Sequence, residues 1–215
     1  MDSLRHLLWY ITSVEGITEI IRWGGLPILI AIVFAETGLF FGFFLPGDSL
    51  LVTAGFLASD ATPLLRLELV IPALVLAAVT GDHVGYFVGR KAGEALYQRK
   101  ETRWFKRQHL IDTRAFYERY GPTTLILARF VPFARTFAPI VAGIAGMRYR
   151  RFLLCSVAGG VGWVGSMTLL GYFFGQIPFV KKHIEMAILL VIFVSLLPVI
   201  VSAWRARRRA RAPAA

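Results

Sequence analysis

The sequence predicts an all-α polytopic membrane protein: about three full transmembrane helices plus two opposed re-entrant helical hairpins forming an inverted repeat, with interfacial amphipathic helices. Three observations carry that prediction. The chain of 215 residues is 56% hydrophobic and 17% charged, its mean hydropathy is +0.62, and its apolar residues gather in runs long enough to cross a bilayer. Two of those runs are broken by glycine and proline yet carry charged residues. The two broken runs also repeat one another's punctuation.

Charge comes next. The formal net charge is +11, and the excess sits mainly at 90–119 and 205–211. These basic blocks abut apolar spans, which assigns them to the positive-inside rule and to anionic membrane lipids rather than to nucleic acid. The single cysteine, Cys155, lies in an apolar run, so no disulfide within the chain and no cysteine-based metal site is expected. His6, His109 and His183 are scattered and form no metal-ligand pattern. Neither a metal nor a cofactor is expected.

Residues 1–25 read as an N-terminal amphipathic helix. Leu4, Leu7, Leu8, Ile11, Ile17, Ile20 and Ile21 recur at near-helical spacing, and Glu15, Glu19 and Arg22 interrupt the segment too often for a cleavable signal. A single membrane domain then covers 26–204. Its first part, 26–58, is apolar apart from Glu36 and Asp48; it exceeds one span and falls short of two. Gly38, Gly42, Pro46 and Gly47 interrupt it in ETGLFFGFFLPGDSLL. A full span plus a half-helix, or one re-entrant hairpin, fits; the hairpin is preferred because a second segment shares the plan. A polar loop at 60–68 leads to a span at 70–88, with Asp82 and His83 near its end. That pair reads as an accessory proton relay or, more simply, an interfacial hydrogen-bond pair. Residues 90–121 hold nine Lys/Arg against four acids and read as a cytoplasmic amphipathic segment anchored by Trp104, Phe105 and Tyr117. The second hairpin covers 122–147, spans follow at 152–174 and 186–204, and a basic cytoplasmic tail at 205–215 ends the chain.

The second hairpin organises the rest. In RFVPFARTFAPIVAGIAGM, residues 129–147, Arg129 and Arg135 accompany Pro132 and Pro139. Each arginine costs about 2.5–3.5 kcal/mol at a bilayer centre, and each proline interrupts a helix. Such backbone survives at membrane depth only where protein buries it or where it lines a watery cavity. On an unbroken helix the two arginines would be turned about 240° apart; a break at Pro132 brings both guanidiniums into one pocket. The first segment matches. Glu36 precedes Pro46 by ten residues, as Arg129 precedes Pro139. Ala54-Gly55 and Ala142-Gly143 follow the prolines, and GYFVG at 85–89 is echoed by GYFFG at 171–175. Pro46, Gly47, Pro132 and Pro139 are thus the hairpin-forming residues. Paired broken segments in two halves point to a transporter's binding site.

ETGLFFGFFLPGDSLL, GDHVGYFVGR and RFVPFARTFAPIVAGIAGM together resemble the bacterial DedA family, related to the eukaryotic VTT-domain lipid scramblases, over roughly 26–175. The resemblance implies two re-entrant hairpins, a place in the bacterial inner membrane and movement of lipids between leaflets. It also implies undecaprenyl phosphate recycling or phosphatidylethanolamine transport, with dependence on the proton motive force. The family's essential acids fall on Glu36 and Asp48, and its essential arginines on Arg129 and Arg135.

The chemistry of those four charges stands beside the resemblance. Two carboxylates and two guanidiniums are neutral together, as a membrane interior requires. Arginine's planar fork suits a lipid phosphate, so Arg129 and Arg135 are the expected phosphate-binding residues. Glu36 and Asp48 are the expected proton-coupling residues, a proton on either freeing an arginine. The bland alternative is a set of static salt bridges closing two hairpins. The resulting expectation is a proton-motive-force-linked flippase for undecaprenyl phosphate. The alternatives are a phospholipid flippase or scramblase, phosphatidylethanolamine included, and a proton-coupled ion or small-solute transporter. No His-based nucleophile lies near the arginines in the sequence, so an enzyme is not expected. Expected partners are the lipid, protons and anionic membrane lipids, with homo-oligomerisation left open.

Overall fold

A computed structural model describes residues 14–39, 45–59, 64–98 and 123–178, and its regular structure is entirely helical there. Five helices follow in chain order: α1 Val14–Gly38, α2 Gly47–Ala58, α3 Leu67–Gln98, α4 Pro132–Ile144 and α5 Tyr149–Gly175. A further helical turn and a half covers 123–128. Three stretches are long and apolar enough to cross a membrane: Gly16–Gly38, Leu67–Ala95 and Tyr149–Gly175. With 12 and 13 residues, α2 and α4 reach only about 18 and 20 Å, well short of a hydrocarbon core of about 30 Å.

The glycines and proline that punctuate the sequence near 25 coincide with a kink: α1 is two helical segments joined at Gly25. Gly25 alone leaves helical geometry, at φ 55° and ψ −148°, a conformation open to glycine. Pro27 then sits at the start of a renewed helix, where its missing N–H forfeits no bond. Taken across the kink, Gly16–Gly38 is long and apolar enough to span a membrane; its part after the kink is about 20 Å long, close to the length of α4. Pro139 is the expectation that needs correction: α4 runs through it to Ile144. The actual break lies at 129–131, and Pro132 opens α4 at a position that tolerates proline. The expected span at 186–204, the cytoplasmic segment from 99 onward, the tail and residues 1–13 lie outside the described residues.

The short helices pack on the long ones through glycines. A Cβ at Gly55 of α2 would overlap the carbonyl of Thr168 on α5, and one at Gly171 of α5 would overlap that of Val52 on α2. In the same way, Gly143 of α4 meets the Tyr86 carbonyl of α3, and Gly89 of α3 meets the Ile140 carbonyl of α4. Each Ala-Gly pair therefore packs against the GYFxG segment of the other half. α4 ends in a Schellman motif, with Gly146 at φ 68° and Met147 N–H donating to the Ala142 carbonyl over 3.1 Å. Tyr86 locks this turn by donating its hydroxyl to the Met147 carbonyl and stacking on Phe152, ring centroids 4.4 Å apart.

One apolar cluster joins α1, α2, α3 and α5 around Val33, Leu51, Leu74 and Trp163. A second, with Tyr86, Leu125, Ala142 and Phe152, joins α3, α4 and α5.

Candidate functional site

Charged side chains are buried where these elements meet. Arg129 (3% exposed), Arg135 (4%), Glu36 (1%) and Asp82 (2%) are as enclosed as the apolar core. Each has a local reason for its place. Glu36 lies in the last turn of α1, and its carboxylate occupies the space that a Cβ on Gly47 would need; only glycine fits at 47. Asp48 follows in the first turn of α2, where a helix N-terminus favours an anion. Pro46 caps that helix, its carbonyl accepting Leu50 N–H over 2.8 Å. Arg135 stands one turn into α4, its backbone N–H bonded to the Val131 carbonyl across the break.

Arg135 holds both acids of the first segment. One terminal nitrogen reaches Glu36, and the other reaches Asp48 Oδ1 at 2.7 Å. Trp163 of α5 completes the group: its indole N–H donates to the same Asp48 oxygen over 2.8 Å, and its ring lies 4.2 Å from the guanidinium carbon. Spacing gives no hint of Trp163, which sits in an apolar run that reads as a span.

Arg129 does not join Glu36 and Asp48, as the four-charge reading expects. It pairs with Asp82 of α3 and donates to the Ser156 carbonyl of α5 over 3.2 Å, while the Ser156 hydroxyl donates to Asp82. Gly159 and Gly160 leave the groove in α5 along which the Arg129 side chain lies. The neutral set of two acids and two arginines is corrected accordingly: Asp82 brings the acids paired with these arginines to three. His83 stays apart. Successive helix residues point about 100° from each other, and the His83 Nδ1 lies 2.6 Å from the Val79 carbonyl, its ring edge-on to Tyr149 and Phe152.

The two ion-pair groups meet at one cavity. It is lined by Asp82, Arg129, Arg135, Pro139, Phe152 and Ser156, among others, and its volume of about 10 Å³ is room for one water. A phosphate group does not fit, so the structure is a closed, ion-paired arrangement. α1 and α3 approach here backbone to backbone, a Cβ on Gly38 coming within 2.9 Å of the Gly81 Cα, which brings Glu36 and Asp82 to adjacent levels. A larger cavity of about 300 Å³ near Arg90 and Arg148 is open, and its Arg90 is already paired with Glu94 at 3.4 Å.

The VTT-domain family model matches residues 45–173. The protein DedA of Escherichia coli K12 is 42% identical over 214 residues, covering 98% of both chains. An uncharacterized membrane protein of Mycobacterium tuberculosis H37Rv is 44% identical over 212 residues, covering 93% of each. The inner membrane protein YghB of E. coli K12 is 33% identical over 172 residues, covering 79% of this chain and 78% of its own. No solved structure matches the chain.

Proposed function

Because this chain belongs to the DedA family of VTT-domain membrane proteins, we propose that it moves a phosphate-bearing lipid between the leaflets of the bacterial cytoplasmic membrane, undecaprenyl phosphate first among candidates. One observation carries the reading: two buried arginines share a cavity, each held there by carboxylates that a phosphate can replace. A guanidinium binds a carboxylate and a phosphate with the same planar fork. The arginines are thus kept folded and neutralised until a lipid phosphate competes for them.

Protonation of Glu36 or Asp48 weakens the hold on Arg135 and opens it to phosphate, while the prenyl or acyl chain stays in the bilayer. Loss of the proton restores the ion pairs and expels the headgroup. The short helices fit this scheme as arms of two opposed re-entrant hairpins, α2 with the end of α1, and α4 with 123–128. The reciprocal packing of each Ala-Gly pair on the other half's GYFxG segment supports an inverted repeat. In that arrangement the basic tail lies in the cytoplasm.

Proteoliposomes containing the protein and undecaprenyl phosphate test the reading, leaflet exposure being followed with and without a proton gradient. Acceleration by the wild type, lost in a folded Arg129→Ala/Arg135→Ala variant, is the expected result. Phosphatidylethanolamine is the specificity arm. Ion flux without lipid crossing, or release of free phosphate, would overturn lipid translocation in favour of an ion transporter or a phosphatase.

A further inference from the structure

The acids at the site outnumber the arginines. Among the described residues, the ion-pair partners of Glu36, Asp48 and Asp82 are Arg129 and Arg135, so the three acids, two buried and Asp48 half-buried, carry one negative charge in excess, and an uncompensated charge away from water is costly. Something positive must accompany it, and a proton is the smallest choice for a space that admits one water. The oxygens restrict where it sits. Asp48 Oδ1 is occupied by Arg135 and Trp163, and this acid is partly exposed. Glu36 Oε2 and Asp82 Oδ1 are buried without a hydrogen-bond partner. The former lies against the Gly47 backbone at the closed junction of α1 and α2. Of these three acids, only Asp82 lines the cavity, together with Arg135, whose Nε is likewise unpartnered.

We propose that Asp82 holds this proton on Oδ1, exchanges it through the one-water cavity, and thereby controls Arg129 separately from the acids that control Arg135. The proton passes from a protonated water in the cavity to Oδ1, leaving a neutral water and an uncharged acid. Asp82 Oδ2 is then a neutral acceptor, so Arg129 loses the ionic part of its hold and keeps only neutral hydrogen bonds to Oδ2 and the Ser156 carbonyl. The groups facing Asp82 are Arg129 and Arg135 from the second broken segment, Ser156 from α5 and His83 on its own helix, with Glu36 and Asp48 beyond Arg135. The consequence for transport rests on the lipid-phosphate reading; the location of the proton does not.

The test is pH-difference infrared spectroscopy of the full chain in lipid nanodiscs, read at the carbonyl band of a protonated carboxylic acid. Wild type shows a band that Asp82→Asn abolishes and Glu36→Gln retains. Ser156→Ala, which removes the hydroxyl that the carboxylate accepts, shifts the pH at which the band appears. A band that survives Asp82→Asn, or vanishes with Glu36→Gln, overturns the assignment. Should Asp82→Asn fail to fold, an unshifted band in Ser156→Ala overturns it equally. In proteoliposomes the neutral Asn is expected to flatten the pH profile of lipid movement rather than scale it. Wild type that moves no lipid while its band depends on Asp82 sinks the lipid reading and leaves the proton assignment standing.

Discussion

Arg135 is the residue on which the first segment closes. Removing it strands the buried Glu36 carboxylate and the half-buried Asp48, so Arg135→Ala is expected to cost about 3–5 kcal/mol of stability, the usual penalty for breaking a buried pair, visible as a lower unfolding temperature in detergent. Arg135→Lys keeps the charge but loses the fork that addresses Glu36 and Asp48 together. Lipid transport is expected to fall about tenfold or more, one charge-assisted hydrogen bond being worth roughly 1.5–3 kcal/mol; full transport by a folded Lys variant would exclude bidentate recognition. Trp163→Phe retains the ring over the guanidinium and deletes the N–H to Asp48. It should destabilise by about 1.5–3 kcal/mol and slow transport less than Arg135→Lys does. Glu36, Asp48, Arg129 and Arg135 were legible as charges in apolar sequence. Ser156 and Trp163 were not, because hydroxyls and indoles are ordinary in membrane helices and declare a role only through a partner on another element.

Helix contacts in this protein are made by absence of side chain. At Gly171, a new Cβ meets the Val52 backbone, which cannot move without displacing α2 and Asp48 with it. Gly171→Ala is therefore expected to destabilise by about 1–3 kcal/mol, as overpacking does, and to impair transport. Gly146→Ala is the contrasting case. Nothing lies near its Cβ, but its φ of 68° costs an L-residue about 1–2 kcal/mol, and only the α4 turn should suffer. Thermal unfolding with a transport assay separates the two. The element plan was legible where composition changes: α2 begins after Pro46 and α4 at Pro132. It was misread at Pro139, since a local breaker reports a backbone preference and not the packing that overrides it, whereas α1 does kink at Gly25. At Pro139, α4 packs against Gly85 of α3.

At the scale of the molecule, closure of the central cavity is the property with the clearest consequence. Leu125 and Ala138 line it, so a cysteine placed at either, in a Cys155→Ser background, should react slowly with a water-soluble maleimide at neutral pH. Acidification is expected to raise the labelling rate relative to that of an exposed control cysteine, whose thiolate fraction falls with pH in the same way, because protonated carboxylates release the arginines that seal the site. A relative rate that stays constant with pH would show that the ion pairs do not gate access.

Membrane class, the two interrupted segments and the charges within them were determined by the sequence alone, because hydropathy, proline geometry and the cost of a charge in hydrocarbon are local properties of a chain. Pairing was decided only by the tertiary structure. Arg135 takes Glu36 and Asp48 from 99 and 87 residues away, and Arg129 takes Asp82 from 47. Which carboxylate meets which guanidinium depends on glycine contacts between helices that set how closely they approach, and no spacing along one chain encodes that distance.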